Sequence, residues 1–131
     1  MTDTAYEIPG FVFTAKTHTY EEGTIPPEFK HIFVFHASDG VVPANGASSP
    51  IVGVAQRSCK NGEVIPVMNT GISMVWLMGT VNKGDKVTAT GGGFGVAASN
   101  SDIFHGIALA SGVAQDRIPV LLCLNSAPSS T

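Results

Sequence analysis

Apolar residues in this chain come in runs of four to eight, separated about every ten residues by clusters of Gly, Pro, Asn, Asp and Ser. That rhythm belongs to strands rather than helices, because turn residues interrupt the chain before a helix can reach a useful length. Nine strands are predicted, over residues 11–15, 31–36, 51–56, 64–68, 73–78, 86–90, 94–98, 103–110 and 118–124. Turns are expected at Asp39-Gly40, Asn61-Gly62, Asn69-Thr70-Gly71, Lys83-Gly84-Asp85 and Gly91-Gly92-Gly93, where glycine supplies a positive φ. The run Met74-Val75-Trp76-Leu77-Met78 is apolar at every position, so both faces of that strand are expected to be covered. One short helical turn is expected after Pro26-Pro27. The fold class is all-β, a small barrel or sandwich-like domain with little helix.

Two segments match at a constant offset, 51–67 against 104–120. Gly53, Ala55, Ser58, Ile65, Pro66 and Val67 recur as Gly106, Ala108, Ser111, Ile118, Pro119 and Val120. This reads as an internal repeat. Each copy is a strand with a glycine where neighbouring backbone comes close, a polar loop, and a second strand carrying a proline. Proline donates no ladder hydrogen bond, so Pro66 and Pro119 are expected at edges or bulges, which a closed small barrel or a sister subunit would cover.

Residues 1–27 lack a core stripe and end in Gly23 and two prolines, which suggests an extended N-terminal arm. Residues 28–124 form the β domain, and 125–131 a flexible, Ser- and Pro-rich tail. An extended, β-prone arm can add a strand to a neighbour's sheet edge. Tyr6, Ile8, Phe11, Val12 and Phe13 are the expected anchors of such a contact.

Composition narrows the partners. The chain has 131 residues, one domain's worth, and 44% are hydrophobic, enough for a sizeable core. Only 13% are charged, against about 25% in typical soluble domains, so broad neutral surface remains for subunit contacts or for a Gly-, Ser- and Thr-rich exterior. The net charge is -3 with no basic run, which sets nucleic-acid binding aside. No apolar stretch approaches the roughly 20 residues of a membrane helix. Residues 1–10 do not have the form of a signal peptide, so synthesis in a cytoplasm is expected, with Cys59 and Cys123 reduced. Cys123, inside an apolar run, reads as a small buried hydrophobe.

Catalytic chemistry finds no constellation. His31 and His36 lie an odd number of residues apart, on opposite faces of a regular strand, and cannot chelate one metal from it. His105 replaces Val52 of the first repeat and reads as a satisfied, partly buried side chain; His18 sits among threonines in the arm. Adjacent Glu21 and Glu22 diverge in an extended chain. Asp85, Asp102 and Asp116 fall in turns, where aspartate bonds its own backbone. Gly91-Gly92-Gly93-Phe94-Gly95 lacks the Lys-Ser/Thr and the helix of a phosphate loop, so it reads as a hairpin turn. No catalytic residue, cofactor site or metal site is expected.

From about His31 to Leu124 the order of motifs resembles the capsid decoration (cement) proteins of tailed bacteriophages. It is carried by Ile51-Val52-Gly53-Val54-Ala55, Asn61-Gly62-Glu63-Val64, Gly71, Gly84-Asp85-Lys86-Val87, Gly106-Ile107-Ala108 and Ile118-Pro119-Val120-Leu121-Leu122. The resemblance implies a small barrel-like fold without enzymatic activity. It further implies a homotrimer on the outer capsid surface of the virion, at three-fold positions, tying major capsid proteins together. Residues 1–30 carry no match. Two other readings remain: a ligand-binding module or enzyme with a pocket at a barrel mouth, seeded by His105, and another virion part such as a head-fibre base or tail component.

Overall fold

The computed structural model describes residues 12–16, 30–37, 40–57, 64–99 and 101–127. Among the described residues ten strands run in chain order: β1 (Val12–Lys16), β2 (Phe33–Ala37), β3 (Gly40–Pro43), β4 (Ile51–Ala55), β5 (Val64–Met68), β6 (Gly71–Trp76), β7 (Lys86–Ala89), β8 (Gly95–Ala97), β9 (Phe104–Ala108) and β10 (Arg117–Ser126). The described residues contain no helix. The all-β expectation holds, and each of the nine predicted strands has its counterpart.

The strands form two five-stranded sheets, ordered β1-β5-β4-β2-β3 and β6-β10-β9-β7-β8. Counted within its own half of the chain, each sheet has the same order: first, fifth, fourth, second, third. The registers agree as well. Val54 faces Met68 as Ile107 faces Leu121, and Val34 faces Gly53 as Val87 faces Gly106. Even the turn bonds repeat. The His31 N–H donates to the Ala55 carbonyl at 2.7 Å, and the Gly84 N–H to the Ala108 carbonyl at 2.8 Å. The repeat seen in sequence is thus the legible part of a complete duplication. Residues 12–68 make one unit and 71–126 the next, joined through Asn69-Thr70 with Gly71 at φ +108°.

The shared glycine has a steric cause. A Cβ on Gly53 would lie 2.5 Å from Val67 Cγ1 and 2.6 Å from the Met68 carbonyl oxygen; one on Gly106 would collide with Val120 Cγ1 and lie 3.0 Å from the Leu121 oxygen. The prolines correct an expectation. Pro66 and Pro119 stand in β5 and β10, which have neighbours on both sides, and not at sheet edges. Their carbonyls still accept from Gln56 and Leu109, at 3.0 and 2.9 Å, one residue past the ends of β4 and β9. The missing N–H therefore removes half of the terminal rung and nothing from the ladder's interior.

Both sheets curl. In the second, Leu77 and Gly95 form a parallel bridge, with the Met78 N–H on the Gly95 carbonyl at 2.9 Å, so the sheet's two ends meet. In the first, β1 and β3 approach one another. Inside the first unit lies one core of Ile32, Val34, Val41, Ala55, Ile65 and Val67. The larger core joins the units: Phe33, Ile51 and Val54 of the first pack on Val75, Val87, Ala108, Ile118 and Val120 of the second. Burying each such aliphatic side chain contributes about 1.5–3 kcal/mol. The units therefore stack in sequence, the outer face of the first sheet on the inner face of the second.

Three further differences have simple causes. β3, which ends in Pro43, was not expected, because Asp39-Gly40 marked a turn. It is an edge strand, where proline is tolerated. The run Met74–Met78 is not a central, doubly covered strand: β6 is the edge of the second sheet, with Ile72 and Met74 exposed. β10 continues through Asn125 and Ser126, two residues into the expected tail. The helical turn after Pro26-Pro27 and the Asn61-Gly62 turn lie outside the described residues.

Candidate functional site

His105 is the chemically richest buried side chain. It begins as the second residue of β9, at the position Val52 holds in the first unit, and is fully buried with its ring 5.6 Å from that of Phe33. The Asn125 N–H donates to Nδ1 at 2.9 Å, so Nδ1 is unprotonated and Nε2 carries the hydrogen, donating to the Ala47 carbonyl at 3.0 Å. Asn125, at φ +57°, turns its amide onto Ile51: Oδ1 accepts from the Ile51 N–H at 3.1 Å and Nδ2 donates to the Ile51 carbonyl at 3.0 Å. Burial lowers the His105 pKa below 6.5, opposed by the Ala47 bond. Both ring nitrogens are committed and solvent is excluded, so this is a neutral clamp between the units and not an exposed base. The sequence reading of a satisfied side chain stands, though burial is complete.

The other candidates do not converge on it. Asp85, Asp102 and Asp116 each accept from the backbone N–H three residues upstream, those of Asn82, Ser99 and Val113, at 2.9, 3.0 and 2.9 Å. They are turn locks, as expected. The Gly91–Gly93 segment is the β7–β8 hairpin turn, closed by a Gly93 N–H to Thr90 carbonyl bond of 2.9 Å, with Gly92 and Gly93 at φ +88° and +85°. His36 is exposed on β2, while His31 precedes that strand at φ +67°. His18, Glu21, Glu22 and Cys59 lie outside the described residues; Cys123 is a free, partly buried thiol. Among the described residues, no three His, Cys, Asp or Glu side chains are grouped as metal ligands.

What the molecule presents instead is an apolar face. Strand partners share a face, as do residues two apart along a strand. Leu121 faces Ile72 on one side and Ile107 on the other; Pro119 faces Met74, and Leu109 follows Ile107 by two. These six residues cover the outer side of β6, β10 and β9. Ile72 is 57% exposed, Leu121 45%, Met74 38% and Leu109 37%. Two cations border the face, both drawn onto rings: Arg117 lies 4.4 Å from the Trp76 centroid and Lys86 5.0 Å from that of Phe104. Trp76 meets Phe94 edge-on at 5.1 Å. Sequence reasoning missed this face because an unbroken apolar run was read as burial on both sides. The signal lay in the repeat, where Leu109 and Met74 are apolar opposite Gln56 and Thr14 of the first unit.

Of the residues expected to anchor a capsid contact, Tyr6, Ile8 and Phe11 lie outside the described residues. Val12 and Phe13 belong to β1, their backbones paired with Met68 and Val67 of the chain's own β5.

No protein-family model matches the chain, and no curated protein does. Among solved structures, the fold is similar to the N base of the head fiber protein gp8.5 of bacteriophage phi29. The TM-score is 0.59 at 15% identity, covering 89% of this chain and 96% of that one.

Proposed function

We propose that this chain is a non-enzymatic structural component of a phage virion, seated on the outer surface of the head. One observation carries the reading: the fold likeness to a phage head fiber base spans nearly the whole of both chains. The chemistry agrees, since the one buried histidine among the described residues is spent on holding two units together, which leaves the enzyme or ligand-module reading without its seed.

Within that role, the chain acts as a decoration protein, a homotrimer at three-fold positions that bridges major capsid proteins. Low charge suits broad neutral contacts, and a net charge of -3 suits a protein facing away from packaged DNA. Tyr6, Ile8, Phe11, Val12 and Phe13 are its proposed capsid-contact residues. A second reading, the base of a head fibre, is favoured by the identity of the structural neighbour.

The test is to mix the protein with expanded, undecorated shells and image them. Added density at three-fold positions is expected; absence of binding overturns the reading. Heating the shells separates the two roles, since a cement raises their disruption temperature and a fibre base binds without doing so. Deleting residues 1–11 tests the arm better than deleting 1–27, which would strip β5 of its β1 neighbour.

A further inference from the structure

The two units invite a position-by-position comparison of their outer faces. In the first unit, Val54 and Met68 occupy the places held in the second by Ile107 and Leu121. Val54 is fully buried in the core between the units, and Met68 packs against that core. What covers this face is a unit of the same fold. Among the described residues the second unit's outer face has no such cover, yet its centre is more apolar than its counterpart: Leu109 stands where the first unit has Gln56, Met74 where it has Thr14 and Ile72 where it has Val12, while charge enters at the border, with Lys86 for Phe33 and Arg117 for Val64. A face kept in water has no reason to exceed in apolarity the copy that is buried.

We propose that the outer face of β6, β10 and β9 is where a second copy of this chain docks, a step that rests on the self-assembling reading above. The occupant follows from the molecule's own arrangement: the only cover this kind of face is seen to take among the described residues is another such unit. The charges set the geometry. Two faces bordered alike by Lys86 and Arg117 repel when they meet each other, whereas within the chain an outer face packs on a different surface, the inner side of the next unit. The contact is therefore heterologous, face to a different surface, and a heterologous contact closes into a ring when the rotation permits.

The experiment is sedimentation of the full chain with three variants. Leu121→Asp and Ile72→Asp place a carboxylate in the centre of the face; Val64→Asp places one on another exposed aliphatic residue, off the face. Wild type and Val64→Asp are expected to sediment as one closed oligomer, and the two face variants as monomers with the wild-type circular dichroism spectrum. Should one face variant lose that spectrum, Met74→Lys gives an independent reading. A monomeric wild type, or folded face variants that stay oligomeric, overturns the proposal. Shell binding measured on the same samples separates it from the function above. Oligomers that no longer bind shells assign the face to the capsid, which defeats this proposal and leaves the head-surface role standing.

Discussion

The backbone N–H of Asn125 donates to Nδ1 of His105 at 2.9 Å, and that bond decides which nitrogen of a buried imidazole carries its proton. It lies at the irregularity in the β9–β10 ladder, between the Leu122–Gly106 and Ser126–Phe104 pairs, and through Ala47 and Ile51 it reaches the loop and strand that follow β3 in the first unit. A polar network thus fastens one end of a largely apolar interface, which the Gln56 Nε2 to Ser73 Oγ bond of 2.9 Å and backbone bonds such as Phe33 N–H to the Gly93 carbonyl also cross.

A pH dependence follows. Burial holds the His105 pKa below 6.5, so as pH falls through about 6.5 the unfolded chain takes up a proton that the folded one refuses. The contribution to stability is intact above 6.5 and is lost as pH drops toward the lowered value. The urea midpoint is expected to be lower at pH 5.5 than at 7.5. His105→Val, which copies the first unit's Val52, should be about 1–3 kcal/mol less stable at pH 7.5, because the part-buried Asn125 N–H and Ala47 carbonyl lose their partner, and should show a flatter profile. Parallel profiles would remove His105 as the cause.

Asn125→Ala should cost about 1–3 kcal/mol, through two lost bonds to Ile51 and the positive φ that asparagine tolerates better than alanine. Asn125→Asp keeps the acceptor for the Ile51 N–H and loses the donor. Chemical denaturation should rank the three as wild type, then Asp, then Ala.

Gly53→Ala and Gly106→Ala should each destabilise by about 1–3 kcal/mol or more, because the obstruction includes strand backbone, which cannot step aside. The two losses should be comparable, since the clash has the same partners in each unit. Thermal melts of both variants check it, and a neutral result at either site contradicts the close approach described there.

Gly84→Ala isolates conformation from packing. Its φ is +92°, and nothing lies within 4 Å of the added Cβ. The expected loss is about 1–2 kcal/mol, with Gly84→Asn losing less. The equivalent His31 already carries a side chain at φ +67°.

Strand positions were readable because turn chemistry and apolar runs report locally, and β5 was expected at its observed bounds. β3 was not, since Asp39-Gly40 reads locally as a turn although Gly40 opens an edge strand. The duplication was readable only around Gly53 and Pro66, where close backbone approach and the terminal rung restrict the residue in both units. Elsewhere the pairs drifted, Phe33 against Lys86 being the plainest case. His105 was readable as a satisfied side chain from its match to Val52, but its partners Ala47 and Asn125 are remote in sequence and carry no local signal. The exposed face escaped for a different reason: hydrophobicity says that a residue seeks cover, not whether its own chain supplies it.

The strand order also bears on how the molecule is made. Every ladder within 12–68 closes among strands from that stretch, β5 settling between β1 and β4 before β6 begins. On the ribosome, where amino-terminal segments emerge first, the leading half can complete its pairing while the trailing half is still being translated. The finished half then offers Phe33 and Val54 as a template on which the later strands condense. A tandem layout of this kind lets a chain dominated by distant strand pairings assemble in two short instalments.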